Sequence, residues 1–209
     1  MTKLGLISDP HANPAPVAEV LAIFAREQVD AIWCTGDIAG YGDKLDSTID
    51  LLAASPCRAI RGNHELWLLE DKDAELSPKV AGYLASLPVT IEQDFNGKHI
   101  YMVHASPPLS NTDGIRLLDQ NGQLIPEQKA YWTMRLADFI PDVLIVGHTH
   151  QVFAEWLGGT LVINPGSCSY NHSCAVLHLP SLEVQWFALS GQEITRSWNW
   201  GVQYRKGPA

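Results

Sequence analysis

Aspartate, asparagine and histidine residues recur where apolar stretches of this sequence end. Five short motifs each follow a strand-like run: Asp9-Pro10-His11, Gly36-Asp37, Gly62-Asn63-His64, His104 and Gly147-His148-Thr149-His150. These motifs hold five of the eight histidines in the chain. Ligands of open α/β sheets bind beyond the carboxyl ends of the strands. We therefore expect these side chains to meet in one site.

The residue types and their spacing favour a site with two metal ions. Residues two apart in an extended chain project to the same side, so Asp9 with His11, and His148 with His150, can aim at one locus. Imidazole and carboxylate suit zinc, manganese or iron better than calcium or magnesium. Seven candidate ligands exceed the need of one ion, and two ions that share an aspartate fit better. The candidates are Asp9, His11, Asp37, Asn63, His104, His148 and His150.

The elements that position these residues can be predicted from periodicity and turn signals. Predicted strands cover residues 3–8, 31–35, 57–61 and 142–146. Predicted helices start near Asn13, as the cap, and near Ser77, and cover 44–54 and 126–139. Predicted hairpins turn at Asn96-Gly97, Gly158-Gly159 and Pro180-Ser181. The first half thus alternates strand and helix, whereas the second half is expected to be mostly antiparallel.

Length and composition limit the classes of function. A chain of 209 residues suits one domain, 1–209. A net charge of −9 disfavours stable nucleic-acid binding, and the sequence has no apolar run of the length that a membrane helix needs. Four cysteines without a Cys-x-x-Cys pair predict a reducing, cytoplasmic location. Composition leaves the oligomeric state open.

The ordered motifs resemble those of a known family. "SDPHAN", "TGDIAGYG", "RGNHE", "VHAS" and "GHTH" are similar to the motifs of the calcineurin-like metallophosphoesterase superfamily, above all its small phosphodiesterase-type members. The resemblance runs from residue 3 to about residue 167 and includes "NPGS" at 164–167. It implies an α/β fold of mixed α+β character. The expected architecture is a four-layer αββα sandwich of two mixed β-sheets, with a dinuclear metal site at the strand carboxyl ends.

The resemblance also implies a role for each motif residue. The first metal would be held by Asp9, His11 and His150, and the second by Asn63, His104 and His148. Asp37 would bridge both ions, and His64 would face the leaving oxygen of the substrate as the catalytic acid. Two positions depart from the family pattern: Ala12 replaces a usual glycine, and Glu65 replaces the aspartate found in many phosphodiesterase-type members.

The implied activity is hydrolysis of phosphodiesters, cyclic nucleotides included, by a hydroxide that bridges two divalent ions. Manganese is the expected metal, with iron, zinc or nickel as alternatives. A second interpretation is a phosphomonoesterase, including a phosphoprotein phosphatase. A third is a non-catalytic scaffold that binds proteins, which the complete set of ligands disfavours.

Substrate contacts are expected in residues 105–135, interpreted as a substrate-facing insertion after His104. Arg116, Arg135 and His172 are candidates for binding a small phosphate ester, the one partner expected, and Tyr131 and Trp132 are candidates for stacking on a base. Near the C-terminus, alternating apolar residues predict packing on the sandwich or a dimer patch. They are Trp198, Trp200, Val202 and Tyr204.

Overall fold

A computed structural model describes residues 1–198 and contains ten strands and five helices within them. The strands are β1 (Thr2–Ile7), β2 (Ala31–Cys34), β3 (Cys57–Ala59), β4 (Thr90–Phe95), β5 (Lys98–Val103), β6 (Val143–Ile145), β7 (Val152–Leu157), β8 (Thr160–Pro165), β9 (Ser173–Leu179) and β10 (Glu183–Ala188). The helices are α1 (Pro14–Glu27), α2 (Leu45–Ala53), α3 (Asn63–Glu70), α4 (Pro78–Ser86) and α5 (Pro126–Arg135). Trp200, Val202 and Tyr204 lie outside the described residues.

The strands form two five-stranded mixed sheets. The first has the order β10-β9-β1-β2-β3 and the second β4-β5-β6-β8-β7. Strands β1, β2 and β3 are parallel, as are β5, β6 and β8, and the remaining pairs are antiparallel. The second half is thus less antiparallel than expected, because the connection through α5 returns the chain to run parallel to β5.

Three apolar cores separate four layers, which confirms the αββα sandwich. One core joins α1, α2 and α4 to the first sheet, and includes Phe24 and Leu84. A second lies between the sheets, and the third joins the second sheet to α5 through Trp132. Strand β6 shows the division, since Val143 and Ile145 enter the middle core and Leu144 enters the outer one. Both faces of this strand are therefore buried, as expected for a continuous apolar run in a parallel strand.

Local signals in the sequence predicted most of these elements. The hairpin at Asn96-Gly97 is confirmed, with positive φ angles of 51° and 76° as a type I′ turn requires. Helix α1 begins after Asn13 as predicted, but the Asn13 side chain makes no capping hydrogen bond. Helix α5 ends at Arg135, four residues earlier than predicted. Helix α3 was not predicted, because its apolar residues are consecutive and lack helical spacing.

No helix within residues 1–198 has the length and apolar character needed to cross a membrane.

Close packing of α1 on β1 depends on Gly5. A Cβ atom at this position would lie 2.8 Å from ring atoms of Phe24, which is fully buried in the first core. Helix α1 therefore approaches the first sheet at a point where the strand has no side chain. Real Cβ atoms essentially never come this close to another atom, so an added methyl group must displace the Phe24 ring.

We predict that Gly5→Ala lowers the free energy of unfolding by about 1–3 kcal/mol, the usual effect of overpacking a core. Urea unfolding followed by circular dichroism measures this change. The matched control is Gly82→Ala in α4, where a Cβ atom meets nothing within 4 Å. Because alanine favours helix over glycine, that variant should gain up to about 1 kcal/mol. Equal effects of the two changes would contradict the packing argument.

Candidate metal centre

All seven candidate ligands lie at one place, where the carboxyl ends of parallel strands from both sheets meet. Loops after β1, β2 and β3 supply the ligands of the first sheet, and loops after β5 and β6 supply those of the second. Backbone hydrogen bonds tie these loops together: the Gly147 amide donates to the His104 carbonyl at 2.8 Å, and the Cys168 amide to the Ser8 carbonyl at 3.0 Å. The sandwich itself thus gathers residues that are far apart in sequence.

One group of side chains matches the ligands expected for a first metal. Asp9, His11 and His150 each offer one ligand atom within 4.8 Å of the others. The Nε2 atoms of His11 and His150 lie 2.9 Å apart. Asp9 Oδ1 lies 3.4 Å from His150 Nε2 and 3.9 Å from His11 Nε2. All three side chains are buried, so these atoms face one another with little access to water.

A second group matches the ligands expected for the other metal. Asp37, His104 and His148 also offer atoms within 4.8 Å of one another. The Asn63 amide joins them, with Oδ1 at 2.8 Å from His148 Nδ1 and 3.0 Å from His104 Nε2. An amide oxygen there can share a cation with both rings, and an amide nitrogen there can donate to them. Asp37 also forms a three-residue group with His11 and His64, so it lies between the two sets.

The histidine hydrogen bonds show that this donor set fits metal ions. His11 Nδ1 donates to the Ala39 carbonyl at 3.1 Å, and His104 Nδ1 donates to the Thr35 carbonyl at 2.7 Å. In the neutral rings, each Nε2 therefore directs a lone pair inward, toward the carboxylates of Asp9 and Asp37. Such inward lone pairs repel one another unless a proton or a cation lies between them. Backbone carbonyls commonly orient metal-binding histidines in this way.

The ionisable side chains at the centre strongly shift one another's pKa values. Burial opposes ionisation of Asp9, but His150, His104 and His11 hold its pKa below the usual range. Burial likewise opposes ionisation of Asp37, and His104 lowers the pKa of Asp37 despite it. Burial alone would lower the pKa of His104, but the charges of Asp37 and Asp9 raise it to about 9. A protonated ring cannot ligate a metal, so metal binding must displace this proton.

Two other histidines are held neutral and ready to ligate. Burial lowers the pKa of His11 to about 4, against the opposing charges of Asp9 and Asp37. Burial and the charge of His104 lower the pKa of His148 to about 4. Neutral imidazole is the form that binds divalent metal ions.

The ligand-bearing loops turn through the left-handed region of backbone conformation. Five of the seven candidate ligands have positive φ angles: Asp9 (49°), His11 (49°), Asp37 (50°), His148 (63°) and His150 (49°). Ala12, which replaces the usual glycine, has a φ of 54°. A left-handed alanine costs about 1–2 kcal/mol relative to its ordinary conformations, a cost that glycine avoids. The loop therefore adopts a left-handed turn at Ala12 even though the residue is not a glycine.

Glu65 holds the loop after β2 against the start of α3. Its carboxylate accepts hydrogen bonds from the amides of Asp37 (2.9 Å), Ala39 (2.7 Å) and Gly62 (2.7 Å). It is fully buried, and burial together with the charge of Asp37 raises its pKa to about 7. The sequence interpretation noted Glu65 only as a departure from the family. Its spacing from Gly62 is that of a capping box, which was the available signal.

Buried polar side chains behind the centre fix the remaining loops. Asn164 Nδ2 donates to the Gly147 carbonyl at 2.9 Å, and Ser167 Oγ donates to the Asp9 carbonyl at 2.7 Å. Both belong to the "NPGS" motif. Asn171 Nδ2 donates to the His150 carbonyl at 2.9 Å. Sequence reasoning did not identify Asn171, because its role depends on a contact with a residue 21 positions away.

His64 lies beside the ligands and borders the cavity. Its amide donates to Asp37 Oδ1 at 3.0 Å, and its Nε2 lies 4.0 Å from Asp37 Oδ2. A Cβ atom at Gly40, whose φ is 92°, would overlap the His64 ring, so a glycine there leaves room for the imidazole. Burial lowers the pKa of His64, against the opposing charges of Asp37 and Asp9.

Five of the seven candidate ligands line an open cavity of ≈ 260 Å³, and Asp9 and His104 lie behind them. Its lining consists of His11, Asp37, Tyr41, Asn63, His64, Trp67, Arg116, His148, Thr149, His150 and Trp198. Of the three candidates for substrate binding, the structure brings only Arg116 to this cavity. Arg135 instead pairs with Asp113 at 2.8 Å, and His172 does not line the cavity.

The two candidates for stacking on a base lie elsewhere. Trp132 is buried in the third core, which excludes it as a stacking surface. Tyr131 accepts a hydrogen bond from Arg135 and does not line the cavity. The aromatic residues that do border the metal centre are Tyr41, Trp67 and Trp198, and sequence reasoning assigned no substrate contact to any of them.

Comparison with known proteins agrees with this architecture. The family described as the calcineurin-like phosphoesterase superfamily domain matches residues 2–181. Over 185 residues the chain is 24% identical to an uncharacterized protein of Methanocaldococcus jannaschii, covering 78% of this chain and 68% of that protein. A metallophosphoesterase from Sphaerobacter thermophilus superposes with a TM-score of 0.70 at 21% identity, covering 91% of this chain and 90% of that one. An archaeal phosphodiesterase superposes with a TM-score of 0.59 at 19% identity, covering 90% and 100%.

These solved structures share the fold, and the family match extends over most of the chain. The protein belongs to the calcineurin-like phosphoesterase superfamily. Membership in this family implies divalent metal ions, for which the described cluster of histidine and aspartate side chains provides ligands.

We predict that Asp37→Asn lowers metal occupancy, because Asp37 is the carboxylate placed between the two ligand groups. The loss of affinity should exceed the roughly 10- to 100-fold that follows loss of an outer-shell partner. Plasma mass spectrometry after dialysis against manganese measures occupancy. Asp138→Asn, the same change at an exposed carboxylate outside the cavity, is the control. Full occupancy and unchanged affinity in Asp37→Asn would exclude Asp37 as a shared ligand.

Proposed function

We propose that the protein is a metal-dependent phosphodiesterase that acts on small phosphate esters, with cyclic nucleotides among its substrates. The observation that carries this proposal is the combination of two metal-ligand groups, His64 and Arg116 around one cavity. These are the parts that hydrolysis of a phosphate ester requires: sites for metal ions, an acid for the leaving oxygen and a cation for the phosphoryl group.

A mixture of imidazole and carboxylate ligands suits zinc, manganese or iron; we propose manganese as the metal that supports activity in vitro, with iron, zinc or nickel as alternatives. Two bound divalent ions would acidify a water molecule and neutralise charge that develops on the phosphoryl oxygens. The side chains of the chain itself supply the remaining functions. Carboxylates and neutral imidazoles would hold the ions, and Glu65 joins the Asp37 amide to the start of α3.

His64 is proposed to protonate the leaving oxygen. It is held by the hydrogen bond from its own amide to Asp37, and its side chain is 14% exposed at the cavity wall. It therefore lies close to the ligands and remains accessible to a bound substrate. Burial lowers the pKa of His64, which makes its protonated form a stronger acid.

Arg116 is proposed to bind the phosphoryl group. It lines the cavity on the side of His148, whose pKa its charge helps to lower. Within residues 1–198 it forms no ion pair, in contrast to Arg135, which Asp113 neutralises. An unneutralised guanidinium presents two parallel donors to a phosphate.

The surroundings of the cavity support a diester rather than a monoester as substrate. Two further cavities share lining residues with this one: a cavity of ≈ 190 Å³ is also lined by His11 and Tyr41, and a cavity of ≈ 220 Å³ is also lined by Arg116. A phosphodiester carries two substituents, and each of them can occupy one of these further cavities. A phosphomonoester carries one, so it would leave one of them unused.

The relatives' names and the charge of the chain support the same proposal. One protein with a similar fold is described as an archaeal phosphodiesterase. A net charge of −9 favours small substrates over nucleic acid, because the metal ions rather than a basic surface would attract phosphate. We propose a cytoplasmic location, since the four cysteines are all free.

The first experiment removes metal with a chelator and then titrates manganese while hydrolysis of bis-p-nitrophenyl phosphate and p-nitrophenyl phosphate is followed. We expect activity to return with metal and to be faster on the diester. A faster monoester rate would favour the phosphomonoesterase or phosphoprotein phosphatase alternative. Absence of turnover with metal bound would favour the protein-binding scaffold.

We predict that His64→Ala lowers the rate on an alkyl diester by about 10²–10⁴-fold, the usual contribution of a general acid. The loss on bis-p-nitrophenyl phosphate should be much smaller, because nitrophenolate leaves without protonation. His178→Ala is the control, since His178 lies on β9, does not line the cavity, and its ring forms a hydrogen bond with Gln185. Steady-state rates on both substrates test this, and equal losses in His64→Ala would exclude the acid role.

A further inference from the structure

A tryptophan stands exposed at the metal cavity. Trp67 is 55% exposed and lines the cavity together with Asp37, Asn63 and His64. It lies on α3 three and four residues after His64 and Asn63, so the three side chains share one face of the helix. Leu68 and Leu69 of α3, by contrast, are partly buried and pack against the first core. The Trp67 side chain therefore forms part of the cavity wall and does not pack the helix against the core.

Trp67 and Tyr41 flank the proposed acid. The His64 ring centroid lies 5.0 Å from that of Trp67 and 4.6 Å from that of Tyr41. Tyr41 is 53% exposed, lines the same cavity and has a left-handed φ of 51°. The leaving group accepts a proton from His64 on its oxygen. Its first atoms must therefore lie beside these two rings.

The charge distribution restricts the chemistry of that group. Arg116 is the one Lys or Arg side chain among the described residues that line the cavity, and it lies on the side of His148. The side of His64 offers neutral aromatic faces. Lys44 lines the neighbouring cavity beyond Tyr41 together with Asp43, whereas at the rings of Trp67 and Tyr41 a neutral planar ring would find a surface on which to stack.

We infer that Trp67, with Tyr41, forms a ring-binding subsite and that the leaving alcohol of the natural substrate carries a nucleobase. This inference rests on the proposed function for the direction of the leaving group. Aromatic stacking of a base contributes about 5- to 150-fold in affinity and tolerates different bases, because every base has a π face. The subsite therefore discriminates strongly between a nucleoside ester and an ester without a ring. It discriminates only weakly between different bases.

The test compares adenosine 2′,3′-cyclic phosphate with the cyclic ribose phosphate that lacks the base, using manganese-loaded protein and phosphorus NMR. We expect kcat/KM to be about 5- to 150-fold higher with the base. Trp67→Leu should abolish most of this preference, mainly through KM, and Trp67→Phe should retain part of it. The matched control is Trp156→Leu, because Trp156 is 50% exposed on β7 and does not line the cavity. This control should keep the full preference.

A second arm separates failure of the subsite from failure of the phosphodiesterase proposal. Tryptophan fluorescence of manganese-loaded protein is titrated with adenosine 5′-phosphate and with ribose 5-phosphate, which requires no turnover. Quenching by the nucleotide alone, lost in Trp67→Leu, would support the subsite even if neither cyclic ester is hydrolysed. Hydrolysis of both cyclic esters with equal kcat/KM would overturn it. A base preference that persists in Trp67→Leu would also overturn it.

Discussion

Two buried carboxylates at the junction of the sheets impose the constraint on which the rest of the structure depends. Asp9 is fully buried and Asp37 nearly so, and removing a charge from water costs several kcal/mol unless a partner compensates it. The His148 amide donates to both oxygens of Asp9 at 3.2 Å, so a loop of the second sheet stabilises a charge of the first. Imidazolium or metal ions that compensate this charge therefore help to hold the two sheets together at this junction.

The loops that carry the candidate ligands have a strained backbone. Left-handed backbone at non-glycine residues costs about 1–3 kcal/mol each. Here the strained residues are neighbours, and hydrogen bonds between the loops after β1 and β2 hold them in place. The amides of Asp9, His11 and Ala12 donate to the carbonyls of residues 36, 37 and 38 at 3.1, 3.0 and 2.6 Å. The loops after β1 and β2 therefore support each other, and these hydrogen bonds help to orient the candidate ligands that the loops carry.

Much of the fold and of the site follows from local signals, and the exceptions have physical reasons. The hairpin at Asn96-Gly97 and the candidate ligands at strand ends could be predicted, because turn chemistry and strand termination are local. Helix α3 could not, since its apolar residues are consecutive and Glu65 stabilises its start through the loop after β2. The roles of Asn171 and Trp67 depend on which surfaces the folded chain brings together. Sequence reasoning placed base stacking on Trp132, which the third core buries.

Under the proposed function, an acidic chain must concentrate positive charge in a small volume to bind an anionic ester. The seven candidate ligands supply only two formal negative charges, from Asp9 and Asp37, so two divalent ions held there would leave the centre positive. Arg116 would add to that field near His148, and the neutral ring of Trp67 lies beside His64. In the proposed function this arrangement favours a diester bound with its charge on the metals and Arg116 and its neutral alcohol toward His64. The walls of the cavity would then set the direction of bond cleavage, which the metal ligands alone would not set.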